Sequence, residues 1–189
     1  MGRAARAHVN LLVLTDRTLT SGRRLIEVVR AAVEGGAEQF VLREKDMSRS
    51  ARAALADELR EFVPTLLVAS DATIASDGVH LAASDPMPVP RPFLVGRSCH
   101  SARELERAAA DGCDYATLSP IFESPSKPGY GPVLGVDALR AAPLPVYALG
   151  GVDPFTARAC VDAGAAGVAV MGYVMRADDP AVAVKEFLS

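Results

Sequence analysis

Short apolar runs recur along the whole chain and alternate with longer segments that carry polar residues mainly on one side. The runs lack the apolar-polar alternation of a strand with one face in water, so they predict strands that are buried on both faces, as in a parallel sheet. The eight predicted strands are Val9 to Leu14, Gln39 to Leu42, Thr65 to Ala69, Gly78 to Leu81, Phe93 to Val95, Tyr115 to Leu118, Val146 to Leu149 and Gly167 to Val170.

Three of the segments between these runs carry clear helix signals. In residues 23–34 the apolar side chains follow an i, i+3, i+4, i+7 pattern, which predicts one apolar helix face, and Gly35-Gly36 marks the end of that helix. Ser101, with Glu104 three residues later, has the pattern of a capping box and predicts a helix over residues 101–110. Asp153-Pro154 begins a third helix, because Asp caps helix N-termini and Pro is tolerated in the first turn.

Strands that alternate with helices and are apolar throughout favour an α/β fold, the (β/α)8 TIM barrel, in which a parallel sheet closes on itself. A doubly wound open sheet is the alternative. The chain of 189 residues is short for a barrel, and residues 71–77 have room for barely one helical turn. We therefore expect a compact barrel, a single domain over residues 1–189, whose third helix is shortened or missing.

Composition and charge narrow the classes of function. Hydrophobic residues make up 50% of the chain, the net charge is -3, and no basic block is longer than Arg23-Arg24, so no nucleic acid partner is expected. The apolar stretch Leu11 to Leu14 is too short for a signal core or a membrane span, so we expect a cytoplasmic protein without a membrane partner. Cys99, Cys113 and Cys160 lack metal-ligand spacing and are expected to be reduced core residues. The oligomeric state is not determined, and a homo-oligomer stays open.

The first candidate for chemistry is the charged sequence that directly follows the second predicted strand. Arg43 and Lys45 are two residues apart, so on an extended backbone both side chains point to the same side. Arg offers a planar fork of donors and Lys a compact charge, a combination that suits a phosphate or a diphosphate. The alternative is a solvated turn. A functional site is favoured because unusual residues follow other predicted strands as well.

In a barrel the strand-to-helix loops form the active face, and two further groups of candidates lie there. Asp71 and Asp85 are candidate ligands of Mg²⁺, since two carboxylates with substrate phosphates and water commonly hold this ion. The alternative is that Asp71 caps a short helix and Asp85 begins a turn. Gly150-Gly151 and Met171-Gly172 follow the last two strands, where barrels commonly hold a phosphate on backbone N–H groups, with residues 173–176 as a short extra helix.

The segment from Pro120 to Gly135 is rich in proline and glycine and is too long for a plain connection. We interpret it as a lid over the substrate, with Ser124, Ser126 and Lys127 at its tip. The alternative is a flexible surface loop.

Ser98 at a strand end has no His and Asp partners in triad order, so we expect it to donate a hydrogen bond rather than to act as a nucleophile. His100 is expected to cap or pack rather than to catalyse. His8 and His80 are expected to be structural.

Several motifs, in their order along the chain, resemble those of the thiamine phosphate synthase and thiazole tautomerase (TenI-like) family. The resemblance runs from about Leu11 to the C-terminus. The motifs are Leu42-Arg43-Glu44-Lys45-Asp46, Asp77-Gly78-Val79-His80-Leu81, Gly96-Arg97-Ser98, Pro120-Ile121-Phe122, Ser126-Lys127, Leu149-Gly150-Gly151 and Gly167-Val168-Ala169-Val170.

The resemblance implies a barrel that joins hydroxymethylpyrimidine diphosphate to thiazole phosphate and releases diphosphate with Mg²⁺. It implies that Arg43, Lys45 and Lys127 surround the diphosphate and that Asp71 and Asp85 hold the metal ion. By the same resemblance, Ser98 lies near the pyrimidine. Ser124 and Ser126 match lid positions at which synthases usually have threonines. The backbone that holds thiazole phosphate corresponds to Gly150, Gly151, Met171 and Gly172.

Two departures bear on the substrate. Val41 stands where synthases have a glutamine and Ser70 where they have an asparagine, which weakens polar recognition of the pyrimidine. Residues 96–101 resemble the tautomerase branch, but the catalytic histidine of that branch falls on Pro120, which cannot shuttle a proton. The resemblance thus implies a synthase-type transferase. A thiazole phosphate tautomerase and a non-catalytic binder of thiazole phosphate or thiamine phosphate are the alternatives.

Overall fold

Eight parallel strands form a closed barrel, in which each strand pairs with the next one along the chain and the last pairs with the first. This computed structural model describes residues 9–123 and 132–189. The strands are β1 (Leu11–Leu14), β2 (Gln39–Leu42), β3 (Thr65–Ala69), β4 (Gly78–Leu81), β5 (Leu94–Cys99), β6 (Tyr115–Leu118), β7 (Val146–Ala148) and β8 (Gly167–Val170). The predicted (β/α)8 barrel is confirmed, and the open sheet is excluded.

Helices cover much of the outside of the barrel. Within the described residues they are α1 (Leu25–Glu34), α2 (Arg49–Arg60), α3 (Ala102–Ala110), α4 (Pro154–Asp162), α5 (Gly172–Met175) and α6 (Pro180–Leu188), with 3₁₀ turns at Arg17–Leu19 and Val136–Leu139. The three helices with clear sequence signals are confirmed as α1, α3 and α4, whereas α2 was not singled out. None of the helices in this part of the chain has the length and apolar character needed to cross a bilayer.

The caps of α3 and α4 follow the sequence closely. Asp153 and Thr156 form a reciprocal capping box at the start of α4. At α3 the Ser101 hydroxyl accepts from the Glu104 N–H at 3.2 Å, but the Glu104 carboxylate accepts from the N–H of His100 rather than from that of Ser101. The Glu104 side chain thus reaches one residue further back than in the standard motif.

Alternation along β2 decides which side chains face the barrel interior. Val41 belongs to a buried cluster built from strand residues alone, together with Leu67 and Tyr115, whereas Phe40 and Leu42 pack outward in the cluster that contains the helices. Because successive side chains of a strand point to opposite faces, a continuation beyond Leu42 turns Arg43 and Lys45 towards the mouth of the barrel.

Two successive connections contain no helix. Residues 70–77 join β3 to β4 by turns, which confirms the missing third helix, and residues 82–93 join β4 to β5 without one as well. The outward side chains of β3 to β5 are nevertheless fully buried, because Ile74 and Met87 pack over this side of the barrel. A cavity of about 300 Å³ opens beside the first connection, lined by residues 72–78 with Pro92 and Phe93.

β5 differs most from its prediction. The apolar run predicts a strand over Phe93 to Val95, but the observed strand is Leu94–Cys99, so residues 96–99 belong to the barrel wall and not to a loop. Gly96 is required there, because the Tyr115 ring fills the space that a Cβ atom at position 96 would occupy. The small and polar residues Gly96, Arg97 and Ser98 conceal this half of the strand from a search for apolar runs.

Candidate active site

The C-terminal ends of the strands bring most of the predicted site residues to one rim of the barrel. Arg43 and Lys45 follow β2, Ser70 and Asp71 follow β3, Asp85 follows β4, and Gly150-Gly151 and Met171-Gly172 follow β7 and β8. Parallel strands end at the same rim, which is the functional face of barrels of this kind. The lid residues Ser124, Ser126 and Lys127 lie outside the described residues.

The two predicted cations lie at the mouth but have different neighbours. The main chain of Arg43 donates to Oγ1 of Thr15 at 3.1 Å, and its guanidinium Nη1 lies 3.7 Å from Oδ2 of Asp16. Lys45 is exposed, and its charge helps to lower the pKa values of His80 and Asp85, which places its positive field over the barrel interior. A phosphate group at the mouth would therefore meet both cations.

The acidic residues of the same motif point away from the mouth. Glu44 is buried, accepts from the N–H of Arg17 at 3.1 and 3.2 Å, and lies 3.4 Å from its guanidinium. Asp46 accepts from Arg17 at 2.7 Å, and this hydrogen bond is the main reason why the pKa of Asp46 is lowered. Arg17 thus balances the two carboxylates of the motif and leaves Arg43 and Lys45 directed at the mouth.

Asp71 is ionised and already has cationic neighbours. Its Oδ1 accepts from the N–H of Thr73 at 3.0 Å and from the Thr73 hydroxyl at 2.6 Å, while Oδ2 lies 3.2 Å from Nη2 of Arg52 and 3.5 Å from Nε of Arg49. Burial opposes ionisation, but the Thr73 hydrogen bonds and the charges of Arg49 and Arg52 outweigh it and lower the pKa of Asp71. The sequence did not indicate these two arginines of α2.

Asp85 has a different environment. Its Oδ2 accepts from the N–H of Ala82 at 2.8 Å. Partial burial would raise its pKa, but the Ser70 hydroxyl, the Ala82 N–H and the charges of Lys45 and Arg97 together lower it. Asp85 is therefore a carboxylate that is held mostly by neutral donors at the mouth of the barrel.

These carboxylates fit a hard divalent cation unequally. Mg²⁺ is usually held by one or two carboxylates, with phosphate oxygens and water completing the shell, and two ionised aspartates on adjacent strand ends meet that need. Asp85 can bind such a cation without giving up an ion pair, because the groups that hydrogen-bond to it are neutral. A metal ion at Asp71 would share its carboxylate with Arg49 and Arg52. No group of three or more metal-ligating side chains occurs in the parts of the chain that the structure covers, so a cation here would depend on substrate phosphates.

Ser98 is oriented by a buried hydrogen-bonded chain inside the barrel. Its hydroxyl lies 3.0 Å from Nε2 of His80, and Nδ1 of His80 lies 2.9 Å from the Tyr115 hydroxyl. His80 is 4% exposed, and burial, reinforced by the charge of Lys45, lowers its pKa to about 4. His80 is thus a neutral residue at neutral pH that fixes Ser98, in keeping with the structural role expected for it.

The buried neutral His80 predicts a pH dependence of stability. In the unfolded chain its pKa returns to 6.5, so between pH 6.5 and about 4 the unfolded state binds a proton that the native state does not, and the free energy of unfolding falls as the pH falls. The full contribution is present above pH 6.5. We expect a loss of the order of 3 kcal/mol across this window in urea titrations.

His80→Gln keeps hydrogen-bonding groups at the position but does not titrate, so most of this pH dependence should disappear. His100→Gln is the control, because His100 is exposed and lies 2.9 Å from the Ser119 carbonyl oxygen. Asp71 and Asp85, with lowered pKa values, lose their contribution only at lower pH. An equal pH slope in the wild type and in His80→Gln would contradict the prediction.

The glycine pairs form a narrow backbone surface on the opposite side of the mouth. Gly150 and Gly151 have φ values of +89° and +65°, and a Cβ at Gly150 would lie 2.9 Å from Cα of Pro120, while one at Gly151 would overlap the carbonyl oxygen of Glu123. Their N–H groups donate to no acceptor within residues 9–123 and 132–189. Half-buried Met171 precedes α5, whose position matches the predicted short helix. This surface can accept an anion on main-chain donors.

A closed parallel barrel with cations, ionised carboxylates and open backbone donors around one rim is the arrangement of a (β/α)8-barrel enzyme that acts on phosphorylated small molecules. Comparison with known proteins identifies the family. The family model described as thiamine monophosphate synthase matches residues 11–174. The chain belongs to this family.

Individual relatives agree with the family model over nearly the whole chain. A thiamine-phosphate synthase from Roseiflexus castenholzii is 36% identical over 92% of this chain and 84% of its own, and one from Methanoculleus marisnigri is 35% identical over 93% and 92%. The structure of thiamine phosphate pyrophosphorylase from Pyrococcus furiosus superimposes with a TM-score of 0.81 at 30% identity, covering 95% of this chain and 93% of that one.

Proposed function

We propose that this protein is a thiamine phosphate synthase, which joins hydroxymethylpyrimidine diphosphate to thiazole phosphate and releases diphosphate with the help of Mg²⁺. The observation that carries the proposal is that Lys45 lies close enough to the ionised Asp85 to lower its pKa, at the same rim where Arg43 follows β2. The family and its relatives support the same reaction. A cytoplasmic location is part of the proposal, because the three cysteines are free and buried.

The chemistry needs charge stabilisation more than acid or base catalysis. The bond between the pyrimidine methylene carbon and the diphosphate oxygen breaks, and its electron pair leaves with the diphosphate. The thiazole nitrogen then attacks the methylene carbon. Arg43 and Lys45 would bind the phosphate oxygens on which negative charge develops, and a divalent cation at Asp85 and Asp71 would add positive charge at the same oxygens. Such groups act most strongly when they are fixed before the reaction.

The barrel interior supplies the remaining needs of the reaction. Ser98, oriented by neutral His80, would donate a hydrogen bond to the pyrimidine, and the apolar cluster around Val41 excludes water beneath it. Gly150-Gly151 and the start of α5 would hold the phosphate of the thiazole. The two substrates would then approach each other across the mouth.

Val41 and Ser70, which differ from the residues of typical synthases, allow a test of which pyrimidine substrate the protein prefers. Val41 is fully buried among apolar side chains and offers no hydrogen bond. Ser70 has φ of +58°, a conformation that asparagine tolerates better than serine, and its hydroxyl interacts with Asp85. We expect the double variant Val41→Gln with Ser70→Asn to raise the kcat/KM for the pyrimidine diphosphate by about tenfold or more. An unchanged or lower kcat/KM would indicate that the natural substrate suits the apolar pocket.

The direct experiment combines the purified protein, Mg²⁺ and the two substrates and measures thiamine phosphate and released diphosphate. A synthase forms both products in equal amounts, and formation stops when the metal is chelated. Formation of neither product would overturn the proposal. A metal-independent isomerisation of thiazole phosphate would instead indicate a tautomerase, although Pro120 carries no titratable group. Binding of thiazole phosphate or thiamine phosphate without turnover would indicate a non-catalytic binder.

A further inference from the structure

Arg97 is the largest fully buried side chain in the described part of the chain, and the reaction outlined above does not use it. It lies on β5 between Gly96 and Ser98, and because Ser98 faces the interior, Arg97 points outward. Its exposed fraction is 2%. A buried guanidinium loses its hydration, so its few contacts must account for its presence.

Those contacts converge on the turn that carries Asp85. Nη1 of Arg97 donates to the carbonyl oxygen of Ala83 at 3.1 Å and to that of Asp85 at 2.8 Å. Nη2 lies 3.4 Å from Oδ2 of Asp111 at the end of α3, and Nε and Nη2 have no hydrogen-bond partner among the residues described. The guanidinium thus donates to two main-chain carbonyl oxygens of one turn, while several of its own N–H groups have no acceptor among the residues described.

This turn has little else to hold its main chain in place. The connection between β4 and β5 contains no helix. The other hydrogen bonds of the turn join Ala82 to Asp85 within it, and the Ser70 hydroxyl binds the Asp85 carboxylate but not the main chain of the turn. Within residues 9–123 and 132–189, Arg97 provides the hydrogen bonds that tie the main chain of residues 83–85 to the barrel wall.

We propose that Arg97 is a positioning residue for the metal site: by holding the carbonyl oxygens of Ala83 and Asp85, it fixes the Asp85 carboxylate in the orientation in which it binds a divalent cation together with a diphosphate. The proposal rests on the proposed function. Partners that orient a metal ligand from behind typically change metal affinity by about 10- to 100-fold when they are removed.

Arg91 provides a matched control on the same connection. It also binds carbonyl oxygens, those of Pro92, Phe93 and Gly112 at 2.8, 3.3 and 3.0 Å, and it pairs with Asp114 at 2.7 Å. Arg91 lies beside β5 at the far end of the connection from Asp85 and is exposed. Arg91→Met therefore removes a similar set of contacts from the loop without touching the turn at Asp85.

The test measures Mn²⁺ binding in the presence of inorganic diphosphate, by electron paramagnetic resonance, for the wild type, Arg97→Met and Arg91→Met. We expect Arg97→Met to weaken Mn²⁺ binding by about tenfold or more and Arg91→Met to leave it within about twofold. In the assay, the Mg²⁺ concentration for half-maximal activity should rise in Arg97→Met while KM for thiazole phosphate stays nearly constant. If Arg97→Met does not fold, Arg97→Lys, which keeps a cation near the two carbonyl oxygens, should show a smaller weakening of the same kind.

A change of less than about threefold in Mn²⁺ binding, or an equal change in Arg91→Met, would overturn the positioning role. The same holds if the wild type binds no Mn²⁺ with diphosphate. These outcomes differ from failure of the proposed function, which is absence of thiamine phosphate formation by the wild type. Amide hydrogen exchange of residues 82–85 in the metal-free protein gives a second readout, which should accelerate in Arg97→Met alone.

Discussion

Replacing Asp85 by asparagine is expected to lower the rate of Mg²⁺-dependent thiamine phosphate formation by about 100- to 1000-fold. Asparagine keeps the size of the side chain and one carbonyl oxygen, which can still accept from the Ala82 N–H. The replacement removes the negative charge of the side chain. The lowered pKa of Asp85 keeps this charge present at neutral pH, and a metal ion close to the cation Lys45 needs it for binding. The measurement is kcat at saturating concentrations of both substrates over a Mg²⁺ titration.

Asp71→Asn is the informative comparison. Because Asp71 is already paired with Arg49 and Arg52, a metal ion gains less from it, and we expect a loss of about tenfold. Asp162→Asn serves as control for removing an aspartate, since Asp162 pairs with Arg158 on the exposed side of α4 and its replacement should leave the rate unchanged. A larger loss in Asp71→Asn than in Asp85→Asn would reverse the order of the two ligands derived above.

Replacing Gly151 by alanine is expected to raise KM for thiazole phosphate by about tenfold or more and to lower the free energy of unfolding as well. A Cβ at this position would overlap the Glu123 carbonyl oxygen and lie 2.8 Å from atoms of Phe122, so one of the two chain segments must move. One of these segments, Gly150-Gly151, carries the N–H groups proposed to bind the phosphate, and a shift of that segment would displace them. KM for thiazole phosphate, together with urea unfolding, measures both effects.

Gly112→Ala separates backbone strain from displacement of the site. Gly112 has φ of +81°, so alanine there is also destabilised, by about 1–2 kcal/mol, because it must adopt a left-handed conformation. No atom lies within 4 Å of the position that its Cβ would take. We expect Gly112→Ala to lose stability and keep its KM for thiazole phosphate. If KM rises equally in both variants, the Gly151 effect is global and the backbone cradle is not supported.

The predictability of the site differs from residue to residue. Arg43, Lys45, Asp71 and Asp85 could be placed at one rim because parallel strands end together, so their positions along the chain were sufficient. The arginines of the outer layer could not be assigned in the same way. Arg52 looks like any charged residue on an amphipathic helix, and nothing near it in the sequence indicates that it contacts Asp71.

Arg97 and His80 illustrate the same limit inside the barrel wall. Once β5 is known to extend to Cys99, alternation places Ser98 on the inner face of the barrel and Arg97 on the outer face. An arginine that is buried on the outer face needs hydrogen-bond acceptors for its guanidinium. Which partners it finds depends on the path of the helix-free connection between β4 and β5. The contact of His80 with Ser98 likewise joins neighbouring strands that are 18 residues apart in the chain.

The sequence by itself favoured the closed barrel over an open sheet, a shortened or missing third helix, the family and the rim on which the candidate site lies, because apolar runs, segment lengths and motif order can be read along the chain without knowing any contact. Only the tertiary structure decided that Asp71 is paired with Arg49 and Arg52, that Asp85 is held mainly by neutral donors, and that Arg97 binds the main chain of the turn at Asp85. Those outcomes depend on distances between side chains that are remote in sequence, and burial and pairing at such distances set the charge that each group carries.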